Sequence, residues 1–353
     1  MIDKKQKILV WLSGWVDSAV SAYLLKEAGY EVACGFMINY LDEENPESCP
    51  TLADLEEAKK VALFLGLPLY TFDYREEYEK RIVEYIYSEY SAWRTPNPDV
   101  FCNNLVKFDL FLEEALSLGY DKIATGHYAR IEVGKLLKWI DPTKDQSYFL
   151  SRLNKDQLTH AIFPIGHLLK TEVREIAKEV WLPNAERKDS QWLCFIGKVS
   201  MKTFLEKRIP KQNGKILDTS GKIIGEHEGA FSYTIGQRKW IKVWGGPPLF
   251  VISKNTKENT ITVGNESELT LYSNECLITN WEGDMPAEEK KYGAKLRYRQ
   301  EDQVCTMKKT SEPSIGNSNF LLSFEVSQRA ITPGQIAVIY DGDNVVGSGI
   351  IIE

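Results

Sequence analysis

The sequence contains no apolar run of the roughly 18 residues that a membrane-spanning helix needs. Its first residues, MIDKKQKILV, lack the long apolar segment and the small-residue cleavage site of a secretory signal peptide. Net positive charge is also absent: the formal charge is −7 at pH 7, which argues against non-specific nucleic-acid binding but leaves room for a local basic face. These absences predict a cytoplasmic protein with no membrane association.

Paired cysteines are missing as well. The six cysteines are scattered, and no two of them form a C-x-x-C pair. This spacing disfavours a zinc ribbon and, in a cytoplasmic setting, a disulfide framework. No metal-ligand set is therefore expected, although an iron–sulfur cluster that used Cys102, Cys194 and a third ligand stays an open alternative.

The first half of the chain alternates between expected strands and expected helices. Buried strands are expected at residues 7–12, 31–38, 67–73 and 121–126. The intervening helices are expected at residues 17–29, 51–66, 76–91 and 106–118. This alternation indicates an α/β domain with a parallel sheet, and such sheets bind ligands at the carboxyl ends of their strands.

The pattern changes after about residue 205, where short strands and glycine turns follow one another. From about residue 268 onward, short alternating strands predict a small β-barrel. We expect an α/β catalytic domain over residues 1–205, a small and mainly-β central domain over 206–267, and a C-terminal β-barrel over 268–353.

A short polar loop, Ser13-Gly14-Trp15-Val16-Asp17-Ser18, joins the first strand to the first helix. It lacks the lysine of the G-x-x-x-x-G-K-[ST] nucleotide loop, but backbone amides and a helix N-terminus at this place suit the pyrophosphate of ATP. Ser13 and Ser18 would add hydroxyl donors, and Asp17 would orient the loop or help to bind Mg²⁺. The alternative is an ordinary capped helix start.

Two further stretches carry chemistry. In RTPNPDVFCN, residues 94–103, two prolines flank Asn97 and predict a stiff loop that also holds Asp99, three residues before Cys102. In AERKDSQWLCFIG, residues 185–197, Cys194 follows a polar loop.

With these stretches the chain resembles the tRNA-specific 2-thiouridylases, which belong to the PP-loop ATP pyrophosphatase superfamily. The resemblance runs nearly from end to end. It rests on LSG-x-VDS (12–18), FMIN (36–39), RTPNPD and CN (94–103), ATGHY (124–128), KDQSYFL (144–150), FPIG (163–166), AERKDSQ and CFIG (185–197), IGEHEGA (224–230), YTIGQRK (233–239), RYRQ (297–300) and PGQ (333–335).

The resemblance implies ATP-dependent thiolation of the wobble uridine of tRNA. ATP would convert the C2 oxygen to an adenylate, and Cys194 would carry a persulfide whose terminal sulfur reaches C2. Cys102 would be the partner thiol, so that a Cys102–Cys194 disulfide closes the cycle, and Asp99 would act as general acid or base. The implied ATP-binding residues are Trp11, Leu12, Ser13, Gly14, Trp15, Val16, Asp17, Ser18, Met37 and Gly126. The implied tRNA-binding residues are Asn97, Pro98, Asp99, His127, Lys144, Asp145, Gln146, Arg297, Tyr298 and Gln335.

The implied cofactors and partners are ATP, Mg²⁺, tRNA and a protein that donates persulfide sulfur, and the chain is expected to be a monomer. Two other functions stay open. Another adenylating ligase with the same loop would leave both cysteines without a role. An RNA-binding relative with a defective nucleotide site would fit if the loop tryptophans are real.

Tryptophan stands in unexpected places. Of the nine tryptophans, Trp281 fits the family pattern, and the other eight occupy positions where that pattern has glycine. These eight are Trp11, Trp15, Trp93, Trp139, Trp181, Trp192, Trp240 and Trp244. An indole blocks both the positive φ and the close backbone approach to a phosphate that glycine allows. We hypothesise that these residues are glycines encoded by UGA, which some genetic codes read as glycine and others as tryptophan.

The gene sequence tests this hypothesis directly. We expect UGA at the eight codons and UGG at the codon for Trp281, because reassignment changes UGA alone and leaves glycines encoded otherwise intact. UGG at all nine codons would refute the hypothesis.

Overall fold

The computed structural model describes residues 6–41, 50–188, 200–239, 241, 247–310 and 319–352. Its helices are α1 Val16–Glu27, α2 Pro50–Leu65, α3 Arg75–Tyr78, α4 Glu84–Ser91, α5 Pro98–Cys102, α6 Phe111–Ser117, α7 Ser147–Leu150, α8 Lys155–His160, α9 Lys170–Glu179 and α10 Met201–Glu206. Its strands are β1 Lys7–Trp11, β2 Glu31–Ile38, β3 Leu69–Asp73, β4 Lys122–Ala124, β5 Arg130–Glu132, β6 Lys135–Leu137, β7 Ala161–Ile162, β8 Gly214–Leu217, β9 Ile223–His227, β10 Phe250–Asn255, β11 Thr260–Gly264, β12 Tyr272–Gly283, β13 Lys291–Lys295, β14 Gln303–Thr310, β15 Asn319–Arg329, β16 Ile336–Asp341 and β17 Asn344–Ile351. Within these ranges, no helix is both long and apolar enough to cross a membrane.

The chain divides into two compact units. The first comprises residues 1–82, 99–199 and 343–345, and the second comprises 83–98, 200–342 and 346–353. The first unit is built on a five-stranded sheet in the order β3-β2-β1-β4-β7, in which every pairing is parallel. The α/β prediction with a parallel sheet is therefore confirmed. β1 is the central strand, and its buried residues pack against α1, α2 and α9 in one apolar core.

One expected helix begins earlier than predicted. The sequence indicated a stiff loop through Asp99 and a helix from residue 106, whereas α5 already begins at Pro98. Proline is well suited to the first helical position, because its fixed φ is helical and its missing amide hydrogen would have had no partner there. A π-helical segment, Asn103–Leu110, continues α5 into α6. Asp99 and Cys102 are thus helical residues, and the loop is confined to residues 94–97.

The second unit consists mainly of β-structure. β10, β11, β8 and β9 form a four-stranded sheet in that order around a small core. β12, β15, β14, β13, β16 and β17 follow one another in a second sheet, and β12 also pairs with β17, so this sheet closes on itself. Alternate residues of these strands fill its interior. The predicted C-terminal β-barrel is confirmed.

Five helical stretches end in the same hydrogen-bonded turn. The residue just beyond each helix has a positive φ of 58° to 85°, and these residues are Gly29, Gly66, Gly119, Trp93 and Trp181. In each turn this residue's amide donates to the carbonyl three positions back, and the next amide donates to the carbonyl five positions back. This is the Schellman arrangement, which strongly favours glycine because a Cβ is strained at positive φ. Two of the misplaced tryptophans therefore occupy backbone positions of the glycine type.

The remaining tryptophans divide into separate groups. Trp139 is 3% exposed, and its indole N–H donates to the Leu168 carbonyl at 2.9 Å, so this ring has an ordinary core environment. Trp281 packs against Phe320 in the barrel. Trp192, Trp240 and Trp244 lie outside the described residues.

The Trp181→Gly substitution should raise the free energy of unfolding by about 1 kcal/mol, because it removes the strain of a Cβ at positive φ. The Trp181 side chain is 83% exposed, so little packing is lost. Urea denaturation followed by circular dichroism measures the change. The matched control is Glu175→Gly, at an exposed position in the middle of the same helix, which should destabilise the protein by about 0.5–1 kcal/mol. Destabilisation by Trp181→Gly would contradict the assignment of residue 181 to a backbone position that favours glycine.

Candidate nucleotide-binding and active site

The polar loop lies at the carboxyl end of the central strand of the first unit. The Leu12 amide extends the β1–β2 pairing by donating to the Gly35 carbonyl, and the chain then turns into α1. Trp15 is the N-cap residue of α1, yet it makes no side-chain cap hydrogen bond. The first-turn amides of α1 therefore have no capping side chain, and uncapped amides at a helix start are able to bind an anion. The Ser13 and Ser18 hydroxyls lie 3.0 Å apart beside them.

Gly14 fixes the shape of this loop. Its φ is +80°, and a Cβ would lie 2.3 Å from the Asp54 carbonyl oxygen, so no other residue fits. Its own carbonyl accepts hydrogen bonds from Asn184 Nδ2 at 2.9 Å and from Arg187 Nη1 at 3.0 Å. These two hydrogen bonds fix the orientation of the peptide that follows Gly14.

Gly126 and Met37, which the sequence assigned to ATP binding, lie at the same sheet edge. A Cβ on Gly126 would lie 2.7 Å from the Ser18 amide nitrogen, so glycine lets the end of β4 pack against the first turn of α1. Met37 is near the end of β2, two residues beyond Gly35, which pairs with Trp11. The structure thus packs Gly126 against the first turn of α1 and places Met37 near the carboxyl end of the neighbouring strand.

Lys170 joins the loop, although sequence reasoning missed it. Its Nζ donates to both carboxylate oxygens of Asp17, at 2.6 and 2.8 Å, and the Tyr128 hydroxyl donates to one of them at 2.7 Å. Lys170 is the first residue of α9, where the helix dipole disfavours a cation. A lysine at this unfavourable position is the sequence feature that could have identified Lys170 as a functional residue. With both oxygens engaged, Asp17 orients the loop through an ion pair.

Two more cations cover the loop tryptophans. Lys107 Nζ lies 4.1 Å from the ring centroid of Trp11, and the Arg187 guanidinium lies 3.8 Å from that of Trp15. These are cation–π contacts. Each indole occupies the space that the cation faces, at a position where the family pattern has glycine. The Arg187 guanidinium is also ion-paired with the Asp54 carboxylate, whereas Lys107 has no ion pair among the described residues.

Lys107 is the second residue that sequence reasoning missed. It lies in the π-helical segment and is only 6% exposed. Burial raises the pKa of Asp99, and the positive charge of Lys107 opposes that rise. Burial and the same positive charge hold the pKa of His127 well below its usual value, so this imidazole is neutral. Its Nδ1 shares a 2.7 Å hydrogen bond with the Thr125 hydroxyl.

Asp99 and Cys102 lie three residues apart on α5, and therefore on one face of that helix. Cys102 is 3% exposed. Cys194 lies outside the described residues, so its persulfide role and its pairing with Cys102 stay predictions.

The predicted tRNA-binding residues of the first unit differ in accessibility. Lys144 is exposed. The Asp145 carboxylate is buried and accepts hydrogen bonds from the Ser147 hydroxyl and from the Trp139 amide, and Gln146 accepts one from the Tyr128 amide. In this conformation Asp145 and Gln146 therefore shape the loop, and their contact with tRNA stays a prediction.

In the second unit, Gln335 holds the loop that precedes Pro98. Its Nε2 donates to the Thr95 carbonyl at 2.8 Å and to the Pro96 carbonyl at 3.2 Å. The Thr95 amide in turn donates to the Pro333 carbonyl. The PGQ and RTPNP segments are thus hydrogen-bonded to each other, and Asn97 directly follows the part of the loop that these bonds hold. The loop after β13 carries an exposed Arg297, which donates to the Arg329 carbonyl, and a partly buried Tyr298.

This architecture defines an α/β enzyme with a PP-loop nucleotide-binding domain, a small central domain and a C-terminal β-barrel. Three family models match in succession: a "tRNA methyl transferase HUP domain" over residues 6–198, a "tRNA methyl transferase PRC-barrel domain" over 202–265 and an "Aminomethyltransferase beta-barrel domain" over 274–351. The chain belongs to the tRNA-specific 2-thiouridylase family.

Full-length relatives show this membership. The chain is 46% identical over 360 residues to tRNA-specific 2-thiouridylase MnmA of Paraburkholderia xenovorans (strain LB400), which covers 98% of this chain and 94% of the relative. It is 45% identical to the protein of the same name from Burkholderia multivorans, over 98% of this chain and 93% of the relative. Among solved structures, NMN synthetase from Francisella tularensis matches with a TM-score of 0.36 and 15% identity, over 57% of this chain and 72% of that chain.

The double variant Trp11→Gly/Trp15→Gly should bind ATP in the presence of Mg²⁺ at least about tenfold more tightly than the parent chain. The two indoles would no longer occupy the space between the first-turn amides of α1, Lys107 and Arg187. Isothermal titration calorimetry measures the affinity. The control Trp181→Gly, an exposed substitution at the end of α9, should leave it unchanged. Equal affinities for the parent and the double variant would refute this account of the loop.

Proposed function

We propose that this protein catalyses the ATP-dependent 2-thiolation of the wobble uridine of tRNA. The observation that carries the proposal is the position of Lys107 between the two halves of the site. Its ammonium contacts the Trp11 ring at the end of β1, and its positive charge opposes the rise in the pKa of Asp99 that burial causes. One buried cation therefore connects the phosphate-binding loop with the acid that precedes Cys102.

The first half-reaction is the adenylation of the uridine C2 oxygen. A carbonyl oxygen is a poor leaving group, and an adenylate makes it a good one. Lys107, Lys170, Arg187 and the first-turn amides of α1 would neutralise the pyrophosphate that departs from the α-phosphate. Mg²⁺ would supply further charge neutralisation on the phosphate oxygens. Because Asp17 is already paired with Lys170, we assign it an orienting role in the loop.

The second half-reaction transfers sulfur. A donor protein would load Cys194 as a persulfide. The Cys102 thiolate would attack the inner sulfur and form a Cys102–Cys194 disulfide, and the released hydrosulfide would add to C2 and displace AMP. The two electrons that reduce the sulfane sulfur come from the two cysteines. Asp99, whose burial favours the protonated form, would act as general acid or base during this step.

A second candidate is an RNA-binding relative with a defective nucleotide site. The specific observation in its favour is that the Trp11 and Trp15 rings contact Lys107 and Arg187 and fill the space beside the first turn of α1. This function holds if the gene encodes genuine tryptophan at both positions. An adenylating ligase of another kind has no comparable support, because it leaves Cys102 unexplained.

The decisive assay uses the chain with glycine at the eight tryptophan positions. Incubation with unmodified tRNA, ATP, Mg²⁺ and a persulfide donor should yield 2-thiouridine, detected by nucleoside mass spectrometry. Cys102→Ala and Cys194→Ala should each abolish the product yet retain ATP–pyrophosphate exchange on tRNA, because adenylation needs neither thiol. Cys305→Ala, in the barrel interior, is the matched control and should retain the product.

Two outcomes would overturn the proposal. Formation of 2-thiouridine that survives both cysteine substitutions overturns the cysteine persulfide mechanism. A glycine form that binds tRNA but shows no ATP–pyrophosphate exchange is the RNA-binding relative.

A further inference from the structure

The second unit contains a cavity that the thiolation chemistry does not use. Its volume is about 440 Å³, which is within the range of small-molecule sites. Among the described residues, its walls come from the loop at 92–95, from β10, from the start of β12 and from the segment 330–333. Most of the wall is apolar, and Ile235, Ile252, Leu271 and Ile331 contribute to it.

Irregular backbone surrounds this cavity on several sides. The β10–β11 register shifts between Val251 and Ser253, and the β12–β15 register shifts between Ser273 and Glu275. Ala330 has a φ of 56°, which is uncommon for a residue with a Cβ. Bulges and left-handed residues redirect side chains, and they concentrate where ligands bind.

Lys254, just after the β10 bulge, provides the cavity's available positive charge. Its Nζ donates to the Tyr233 carbonyl at 2.9 Å, and within the described part of the chain this bond uses one of its three hydrogens. The other cation on the wall, Arg94, is engaged by two hydrogen bonds to Glu89. The other ionisable groups on the wall are Glu275, which is exposed, and Tyr272, whose hydroxyl donates to the Glu266 carbonyl.

We propose that this cavity binds one unstacked nucleotide of the RNA substrate, with the base against the apolar walls and a phosphate on Lys254. The source of the nucleotide rests on the proposed function. Single-stranded RNA is commonly recognised in this way, by base burial beside a cation. The cavity shares Thr95 with the loop that Gln335 holds, so an occupant would lie directly against the segment that leads to Asn97.

Burial lowers the pKa of Lys254 to about 8, which makes the contact sensitive to pH. Below that pH the ammonium is charged and pairs with phosphate, and above it the amine is neutral. The affinity for RNA should therefore fall between pH 7 and pH 9. A guanidinium at this position would stay charged and would remove that dependence.

The test compares Lys254→Gln with the full chain in filter-binding titrations of unmodified tRNA at 50–200 mM salt. We expect Lys254→Gln to weaken binding by about 3- to 10-fold and to reduce the salt slope by about 0.7–0.9, the share of one phosphate contact. Lys254→Arg should restore the affinity and keep it at pH 9. Lys257→Gln, an exposed lysine on the same hairpin, is the matched control and should change neither quantity.

A second arm distinguishes RNA from a free nucleotide. Uridine 5′-monophosphate, followed by saturation-transfer NMR, should bind the full chain weakly and Lys254→Gln not at all. If the tRNA affinity and the salt slope are the same for Lys254→Gln as for the full chain, the pocket proposal is overturned while the thiolation proposal stands. If neither the full chain nor its form with glycine at the eight tryptophan positions binds tRNA, the thiolation proposal and the RNA pocket proposal both fail. Loss of the mononucleotide signal in Lys254→Gln then indicates a site for free nucleotides.

Discussion

The proposed site depends on one electrostatic constraint: a highly charged anion must be held where β1 ends and α1 begins. Gly14 makes this possible because its positive φ and lack of a Cβ let the turn pass against the Asp54 backbone. The uncapped first turn of α1 then supplies amides, and Lys170 fixes Asp17 from another element. None of these groups forms a site alone, since a bare helix N-terminus or a single lysine binds anions weakly. Their convergence on one loop gives the site its chemistry.

Several tryptophans conflict with this constraint or with the local backbone, because they occupy positions that favour glycine. Gly29, Gly66 and Gly119 end their helices in the same hydrogen-bonded turn as Trp93 and Trp181, and that turn favours a residue without a Cβ. At the loop, Trp11 and Trp15 fill the space beside Lys107 and Arg187 at two positions where the family pattern has glycine. Four positions of two unrelated kinds thus point to glycine. Trp139, with its buried ring and a satisfied indole N–H, does not add to this pattern.

Much of the fold was predictable, because strand and helix periods are local. β2 runs over the same residues, 31–38, that the apolar run indicated, and the parallel sheet follows from alternation. The start of α5 was missed because Pro98 reads as a loop residue unless its place at a helix start is recognised. The loop itself was found from sequence, whereas Lys170 and Lys107 were not. Lys170 lies 153 residues from Asp17, and nothing local in the sequence encodes their ion pair.

The burial of Lys107 supports the proposal that this site takes an anionic ligand. A buried ammonium is costly unless it is paired, and among the described residues no carboxylate lies within ion-pair distance of its nitrogen. Its surroundings are the Trp11 ring, a neutral His127 and an Asp99 carboxyl whose burial favours protonation. If Trp11 is glycine, even the ring is absent, and the ammonium is left with almost no compensation. A phosphate at the end of β1 would compensate the charge of the Lys107 ammonium, so that binding of the phosphate would also neutralise the buried charge.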